Sequence, residues 1–464
     1  VQRIEVVNSP GARYDAEGVG GVLNIIMKRA GENMDGYSLT ATVDAGSNNQ
    51  GGNIYAMMQK GRVGLTLNVN GSHGAMPAMY IDMLRAQADG MSREFSGKMK
   101  NKFDFGHAQL DANIKLTEAD RLALSGSWHL YSWKTPYDAV AATSFDGVLS
   151  QRYGMLNDNK GHSNSVSAGV DYTHIFGGDR NHKLRVAYQF DTQPSTSTTG
   201  AYYYPLAESS AAVLPEDYTS DNDNNMPQHM ALAEYSLPIG EHHTIEAGAK
   251  MTWRTATSTS LDLDYRHRTT IAAGFASYAL SAGDFTAKAG LRYEHTAQKA
   301  HFLFGPGEDF KADYSNLVPS VALGWSFAPA RSLSATYDMR ISRPGIYYLN
   351  PYLNAGNPLE VTVGNPYLKP ERHNSVALAY TGMHGAFMIS SRLSYTFFND
   401  GLTGLMYVRD GVRYTTYANA MHGKNVTLAL NATWRIGMKS TLMCGITPSY
   451  INKRADNFAN HGWM

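Results

Sequence analysis

What most constrains this chain is an alternation of short and long connections between amphipathic strands. Residues 332–341 show the unit: Leu333, Ala335, Tyr337, Met339 and Ile341 fall on one face, and Ser332, Ser334, Thr336, Asp338 and Arg340 on the other. That is the period-two signature of a strand with one apolar side. The strand pairs 108–116 with 122–130, 166–174 with 183–190, 267–280 with 285–295, and 316–327 with 332–341 are joined through short turns at 117–120, 177–181, 281–284 and 328–331, of about four residues each. Between the pairs stand connections of about 15 to 35 residues, among them 135–162, 192–226 and the Pro/Asn/Gly-rich run from Arg343 to Asn374. Short turns at one end and long connections at the other is the asymmetry of a transmembrane barrel. A soluble sandwich has no reason to segregate its loops, and its strands average about five or six residues. The strands here run to about ten, enough to cross a bilayer at a tilt.

The distribution of charge supports the same reading. The chain has 464 residues, with 40 basic and 40 acidic side chains, so it lacks the basic footprint of a nucleic-acid binder. No apolar run approaches the roughly 20 residues of a spanning helix, and no signal peptide opens at Val1. Strand spans escape hydropathy thresholds. In the clear strands Asp111, Lys115, Asp171, Lys183, Arg185, Glu246, Lys250, Lys288, Arg292, Glu294, Asp338, Arg340, Arg392 and Arg435 all belong to the polar set. A Lys or Arg facing mid-membrane lipid costs roughly 2 to 4 kcal/mol, so these charges are expected in the lumen. Trp128, Trp253, Trp325, Phe327, Tyr395, Phe397 and Trp434, near strand ends, suit interfacial girdles. The single cysteine excludes an internal disulfide; Cys444 alternates with Leu442 and Ile446 and reads as a small apolar filler.

Catalytic and metal-binding patterns fail on inspection. Asp221, Asp223 and Asn225 make DxDxN, but the next position is Met226 rather than Gly and the distal Glu position is Leu232, so a solvated acidic loop is expected. The histidines form no HExxH, His242-His243 falls in a tight turn, and no GxSxG occurs. Gly18 to Gly21 lacks GxGxxG spacing and no helix follows. The sequence therefore predicts no enzyme, no cofactor and no metal. Met76, Met79 and Met83 are spaced loosely like a helix, which predicts an extracellular loop with a short helix over 72–95. Asp410-Gly411 predicts a tight two-residue hairpin turn. In the long loops Tyr202, Tyr203, Tyr204, Tyr347, Tyr348, Asn350, Tyr352 and Asn354 supply flat surface and hydrogen-bonding groups. They either bind a ligand or pack the loops over the barrel mouth.

Four motifs in order carry a resemblance: Arg343-Pro344, Leu349-Asn350-Pro351, Gly364-Asn365-Pro366 and Leu368-Lys369-Pro370-Glu371. Set between two amphipathic strands, they resemble the barrel signature of TonB-dependent outer-membrane receptors, especially the outer-membrane β-barrel family common in Bacteroidetes-type bacteria. The first 29 residues, with a Pro-Gly turn, the corner Tyr14-Asp15-Ala16-Glu17 and the strand Val22 to Met27, resemble the end of such a receptor's plug. They depart from it at Asn8-Ser9, where Arg-Gly is usual. The resemblance implies an all-β fold, a transmembrane antiparallel barrel with a plug remnant, divided as 1–33 and 34–464. About 17 strands can be counted where plugged transporters use about 22, so a fragment lacking most of the plug and the closing strands is expected. It implies a receptor that imports a bulky nutrient (siderophore, glycan, cobalamin or peptide). The implied partners are the TonB-ExbB-ExbD complex, outer-membrane lipid and, as a further candidate, a surface lipoprotein. Arg13, Asp15 and Glu17 would then meet wall residues such as Asp338 and Arg340. The alternative is a non-transporting barrel serving surface assembly or adhesion.

Overall fold

The computed structural model describes residues 3–7, 11–17, 22–26 and 35–463, apart from 87–89, 207–213, 215, 262, 306–308, 350–352, 358–359, 410–411, 438–439 and 456–457. Among the described residues twenty-five strands, rather than the roughly 17 counted from the sequence, lie in one closed barrel sheet and follow one another in chain order, because several long connections themselves pair as strands; a separate antiparallel pair, Arg3–Val7 with Val22–Ile26, precedes them. Antiparallel ladders join Gly36–Ala45, Asn49–Lys60, Val63–Ala75, Lys102–Lys115, Asp120–Phe145, Val148–Ile175 and Lys183–Thr192 in turn. The wall continues through Gln228–Ile239, His243–Ser260, Leu263–Ala282, Phe285–Phe304, Phe310–Ala328 and Arg331–Ser342. It ends with Glu371–His384, Phe387–Arg409, Val412–Ile436, the interrupted strand Ser440–Ile446 and Ser449–Ala455, and Phe458–Trp463.

Local chemistry sets the short turns. At 116–120 the Thr117 hydroxyl accepts from the amides of Ala119 and Asp120 and donates to the Asp120 carboxylate at 2.5 Å. Such side-chain bonds to nearby backbone stabilise a turn without a ladder. Gly283 and Gly385 take positive φ where the chain reverses after one or two residues, a conformation closed to most side chains. The outer wall is apolar: Trp128, Trp253, Trp325, Phe327, Tyr395 and Trp434 are all exposed there. Cys444 is likewise exposed, opposite Ala432 in the ladder.

The long connections differ from the sequence expectation. Residues 135–162 are strand, not loop: Asp120–Phe145 and Val148–Ile175 stay paired up to Asp146 and Gly147, both at positive φ. Residues 192–226 contain the hairpin Ser195–Tyr204 with Tyr218–Asn225. That hairpin bridges the outer ends of Val148–Ile175 and His243–Ser260, covering the shorter strands between them. The helix expected over 72–95 is a strand hairpin, Met79–Ala86 with Met91–Met99, laid against Asp120–Phe145. Spacings of four fit one strand face as well as one helix face, so Met79 and Met83 fall together either way. The Pro-rich run folds partly, into the helix Ile346–Leu349 and the strands Leu353–Asn357 and Glu360–Val363, the last parallel to Val412–Ile436. The tip at 410–411 lies outside the described residues, between strands paired to Arg409 and Val412.

Burial is uneven around the barrel. Gly36–Ala45 is exposed along its whole length. On the far wall Arg292, Glu294, Thr296, Asn316, Asp338 and Arg340 are buried, beneath residues 11–17.

Candidate functional site in the barrel lumen

Residues 11–17 enter the lumen as a turn, with the Tyr14 amide bonded to the Gly11 carbonyl at 3.0 Å. Ala12 and Ala16 are buried, and two features of the wall admit them. A Cβ on Gly290 would stand 2.9 Å from that of Ala12, so only glycine fits there. Ala16 packs with Val318 and Ile341. Above Ser320 and Asp338 no further register pairs join Phe310–Ala328 to Arg331–Ser342 among the described residues, and the adjacent Pro319 brings no N–H to either neighbour. There Ile341 donates its amide to Ala16 at 2.9 Å and forms a parallel bridge with Glu17.

Charges fix the segment. Arg13 grips Glu234 with two parallel bonds of 3.0 Å. Glu234 also takes Arg185 at 3.0 Å, and Arg185 reaches Asp171 at 2.6 Å. Asp15 accepts from Lys250 at 2.6 Å and from Arg292 at 3.3 Å. Arg292 lies 2.5 Å from Glu294 and over the ring of Phe275. Arg343 holds Glu294 on one side and Glu17 at 3.2 Å on the other. Arg340 donates to the Glu17 carbonyl at 3.2 Å. Lys288 and Ser277 converge on Glu246 just below, at 2.6 and 3.1 Å. Arg292 and Glu294 are each only 2% exposed. Desolvating such groups costs several kcal/mol per ion, which only this close, multiply bonded geometry offsets. Asp15, Glu17, Lys250, Arg292, Glu294 and Arg343 also line a polar cavity of about 290 Å³ beside the segment. Buried nitrogens of Arg292 (Nη1) and Arg343 (Nε) find no protein partner among the described residues.

Of Arg13, Asp15, Glu17, Asp338 and Arg340, the structure places the first three in contact with the barrel wall and Arg340 in contact with Glu17, while Asp338 lies buried on the strand below Arg340. Two central members escaped sequence reasoning. Glu234 stands on a strand whose lumen face also carries Met230 and Leu232, so its alternation is blurred. Arg343 opens a motif and so reads as loop geometry.

The tyrosine triplet does not form one surface. Tyr202 and Tyr204 share a face, with Tyr203 on the other. The Tyr204 hydroxyl donates to Asp138 at 2.8 Å, and its ring lies where a side chain on Gly154 would be. Tyr203 meets Tyr153 edge-on at 5.6 Å. Tyr348 packs edge-on against Tyr417 at 4.8 Å. Asn350, Tyr352 and the side chains of Tyr347 and Asn354 lie outside the described residues. The rest of the motif loop is tied mainly by bonds between side chains and backbone. Asn365 donates to the Tyr417 carbonyl at 2.9 Å, and Asn419 bonds the amide of Lys369 at 2.7 Å and its carbonyl at 2.9 Å. Glu371 takes His373 at 2.9 Å and the Leu402 amide. Among the described residues, no group of three or more His, Cys, Asp or Glu could hold a metal ion.

Residues 174–463 match the outer membrane protein beta-barrel family, well over half of the chain, and the chain belongs to that family. Its place is accordingly the bacterial outer membrane. No curated protein matches it in sequence. Solved structures share its fold. The copper transporter OprC superposes with a TM-score of 0.64 at 11% identity, over 97% of this chain and 69% of its own. The FrpB iron transporter from Neisseria meningitidis gives 0.62 at 12% identity, over 97% and 67%. The Serratia marcescens hemophore receptor HasR, solved in complex with its hemophore HasA and heme, gives 0.58 at 12%, over 98% and 76%. The chain thus spans roughly two thirds to three quarters of these proteins.

Proposed function

We propose that this chain is the barrel, with the end of the plug over 1–33, of an active outer-membrane receptor importing a bulky nutrient into the periplasm. Siderophore, glycan, cobalamin and peptide remain the ligand classes, since fold does not carry substrate. The observation that carries the reading is the docking of residues 11–17. A short segment with only two small buried apolar side chains, Ala12 and Ala16, is held inside a barrel wall chiefly through charged side chains: Arg13 to Glu234, Asp15 to Lys250 and Arg292, and Glu17 to Arg343. An ion-paired plug can be released by water entering the contact, whereas a large apolar interface would have to be torn apart. The energy for release comes from the inner membrane through TonB with ExbB and ExbD. A surface lipoprotein would hand over the ligand. The extracellular hairpins bearing Tyr202 to Tyr204 and the motif loop with Tyr347, Tyr348, Asn350, Tyr352 and Asn354 provide the outer binding face. The test is made in the native host: any growth advantage that the gene confers on a limiting nutrient must vanish when TonB is deleted. Persistence of that advantage rules out the mechanism.

A further inference from the structure

Three neighbouring strands carry a second charged cluster, on the opposite side of the wall from the ion pairs. Along Phe285–Phe304 the even residues from Arg292 to Ala300 are buried toward the lumen and the odd ones face outward. The outward set runs Phe285, Ala287, Ala289, Leu291, Tyr293, then His295, Ala297, Lys299 and His301. Each residue climbs roughly 2.6 Å, taking a strand rise of about 3.4 Å and a tilt of about 40°. Phe285 and Tyr293 then stand roughly 21 Å apart, close to the height of an apolar band flanked by aromatic girdles. Lys299 rises roughly 16 Å beyond Tyr293 by the same measure, and Arg268 roughly 10 Å beyond the outward Ala272. Long basic side chains can lean several ångströms back toward the membrane.

The ladder sets these cations side by side. Arg268 is the register partner of Lys299, and Lys299 of Lys311. Arg266 pairs with His301 one row higher. All five are exposed and line one concavity of about 540 Å³ with Asp309. Like charges directly opposite on adjacent strands destabilise a sheet. Asp309 is taken up by His301 at 2.5 Å and the Phe302 amide at 2.9 Å, and Asp313 stands opposite Ala297, one row nearer the membrane. The platform is packed from behind: on the inner face Tyr265, Ala300 and Phe310 form a buried cluster with Phe302, the Tyr265 and Phe302 rings 4.6 Å apart.

We infer that Arg268, Lys299 and Lys311, with Arg266 above them, bind the phosphates of a phosphorylated glycolipid in the outer leaflet, whose acyl chains lie against Leu291, Tyr293 and Leu317. The cluster continues upward from a lipid-facing surface, so its counter-ion is fixed to a molecule already in that surface. A sugar-borne phosphate stands above the acyl chains, at the height these side chains reach.

Native mass spectrometry of the full chain, purified in detergent, tests this by titration with three probes. These are a diphosphorylated disaccharide glycolipid, its dephosphorylated form and inorganic pyrophosphate. The wild type binds the first in preference to the other two, and increasingly weakly as salt rises. The triple variant R268Q/K299Q/K311Q loses about a hundredfold in affinity, at the contribution usual for a basic side chain near an anionic surface. The charge-preserving variant R268K/K299R/K311R binds like the wild type. K60Q/R62Q/R331Q, which removes as many charges at the other end of the barrel, does the same. Equal binding of the dephosphorylated lipid, or an unaffected R268Q/K299Q/K311Q, overturns the inference. Pyrophosphate binding as tightly as the lipid also overturns it, as the site would then serve a soluble anion. Heat-dependent gel mobility verifies that each variant is folded.

Discussion

The two faces of the strands Leu263–Ala282, Phe285–Phe304 and Phe310–Ala328 handle charge in opposite ways. Inside, Arg292, Glu294, Asp15, Lys250, Glu17 and Arg343 interlock with alternating sign at 2.5 to 3.3 Å. Outside, Arg268, Lys299 and Lys311 stand in a row of one sign. The difference follows from what each face meets. On the lumen side this wall is covered by residues 11–17, so the charges buried there find their partners within the chain. The outer face meets lipid and water, so a surplus of one sign can be balanced from outside. Charge pattern on this wall is therefore a record of the neighbouring medium.

The largest expected effect lies inside. Glu294→Ala strands two buried guanidinium groups, those of Arg292 and Arg343, and should destabilise by about 3 to 5 kcal/mol. Unfolding in urea from lipid vesicles, followed by gel mobility, measures it. Next comes Arg13→Ala, which leaves the barrel standing but removes the two-pronged bond to Glu234. A loss of roughly 1.5 to 3 kcal/mol in docking of the segment is expected, read as faster motion of a spin label at Tyr14. Neutralising the outer row should by contrast leave folding within about 0.5 kcal/mol per substitution. A loss comparable to that of Glu294→Ala would erase the distinction between the faces.

The smallest effect is a pH dependence at the outer cluster's rim. The Phe302 amide and then His301 hold the Asp309 carboxyl below the usual carboxylate range. A depressed folded value gives stability that is present above the unfolded value and is lost as pH falls through the folded one. A spin label at Leu303 should stay immobilised from neutral pH to about pH 4, the ordinary aspartate value, and loosen only below it. Loosening between pH 5 and 7 would indicate that the closure depends on something other than this carboxylate.

The crossing strands were legible because lipid on one side and water on the other keep the period-two contrast sharp, as in 332–341. Beyond the membrane that contrast fails. Residues 135–162 pair as strands, yet a run such as Asn157-Asp158-Asn159-Lys160 carries no apolar face to read. In the outer part of Leu263–Ala282 the phase inverts: Tyr265 is buried inward while Arg266 and Arg268 face out. A rule that sends charges to the lumen mislocates them. The lumen site was half legible. Arg13, Asp15 and Glu17 stood out in a Gly-rich corner, but their partners Glu234 and Arg343 are separated from them by more than 200 residues, and only the register of the barrel wall brings them together.

The most direct measurement is a nitroxide scan from Ala289 to His301 in liposomes, recording collisions with oxygen and with a water-soluble nickel complex. The account predicts strong oxygen access at Ala289, Leu291 and Tyr293, passing to nickel access at Lys299 and His301. The even positions from Arg292 to Ala300 should stay shielded from lipid throughout. Uniform accessibility along the strand, or lipid contact at Arg292 and Glu294, would contradict it.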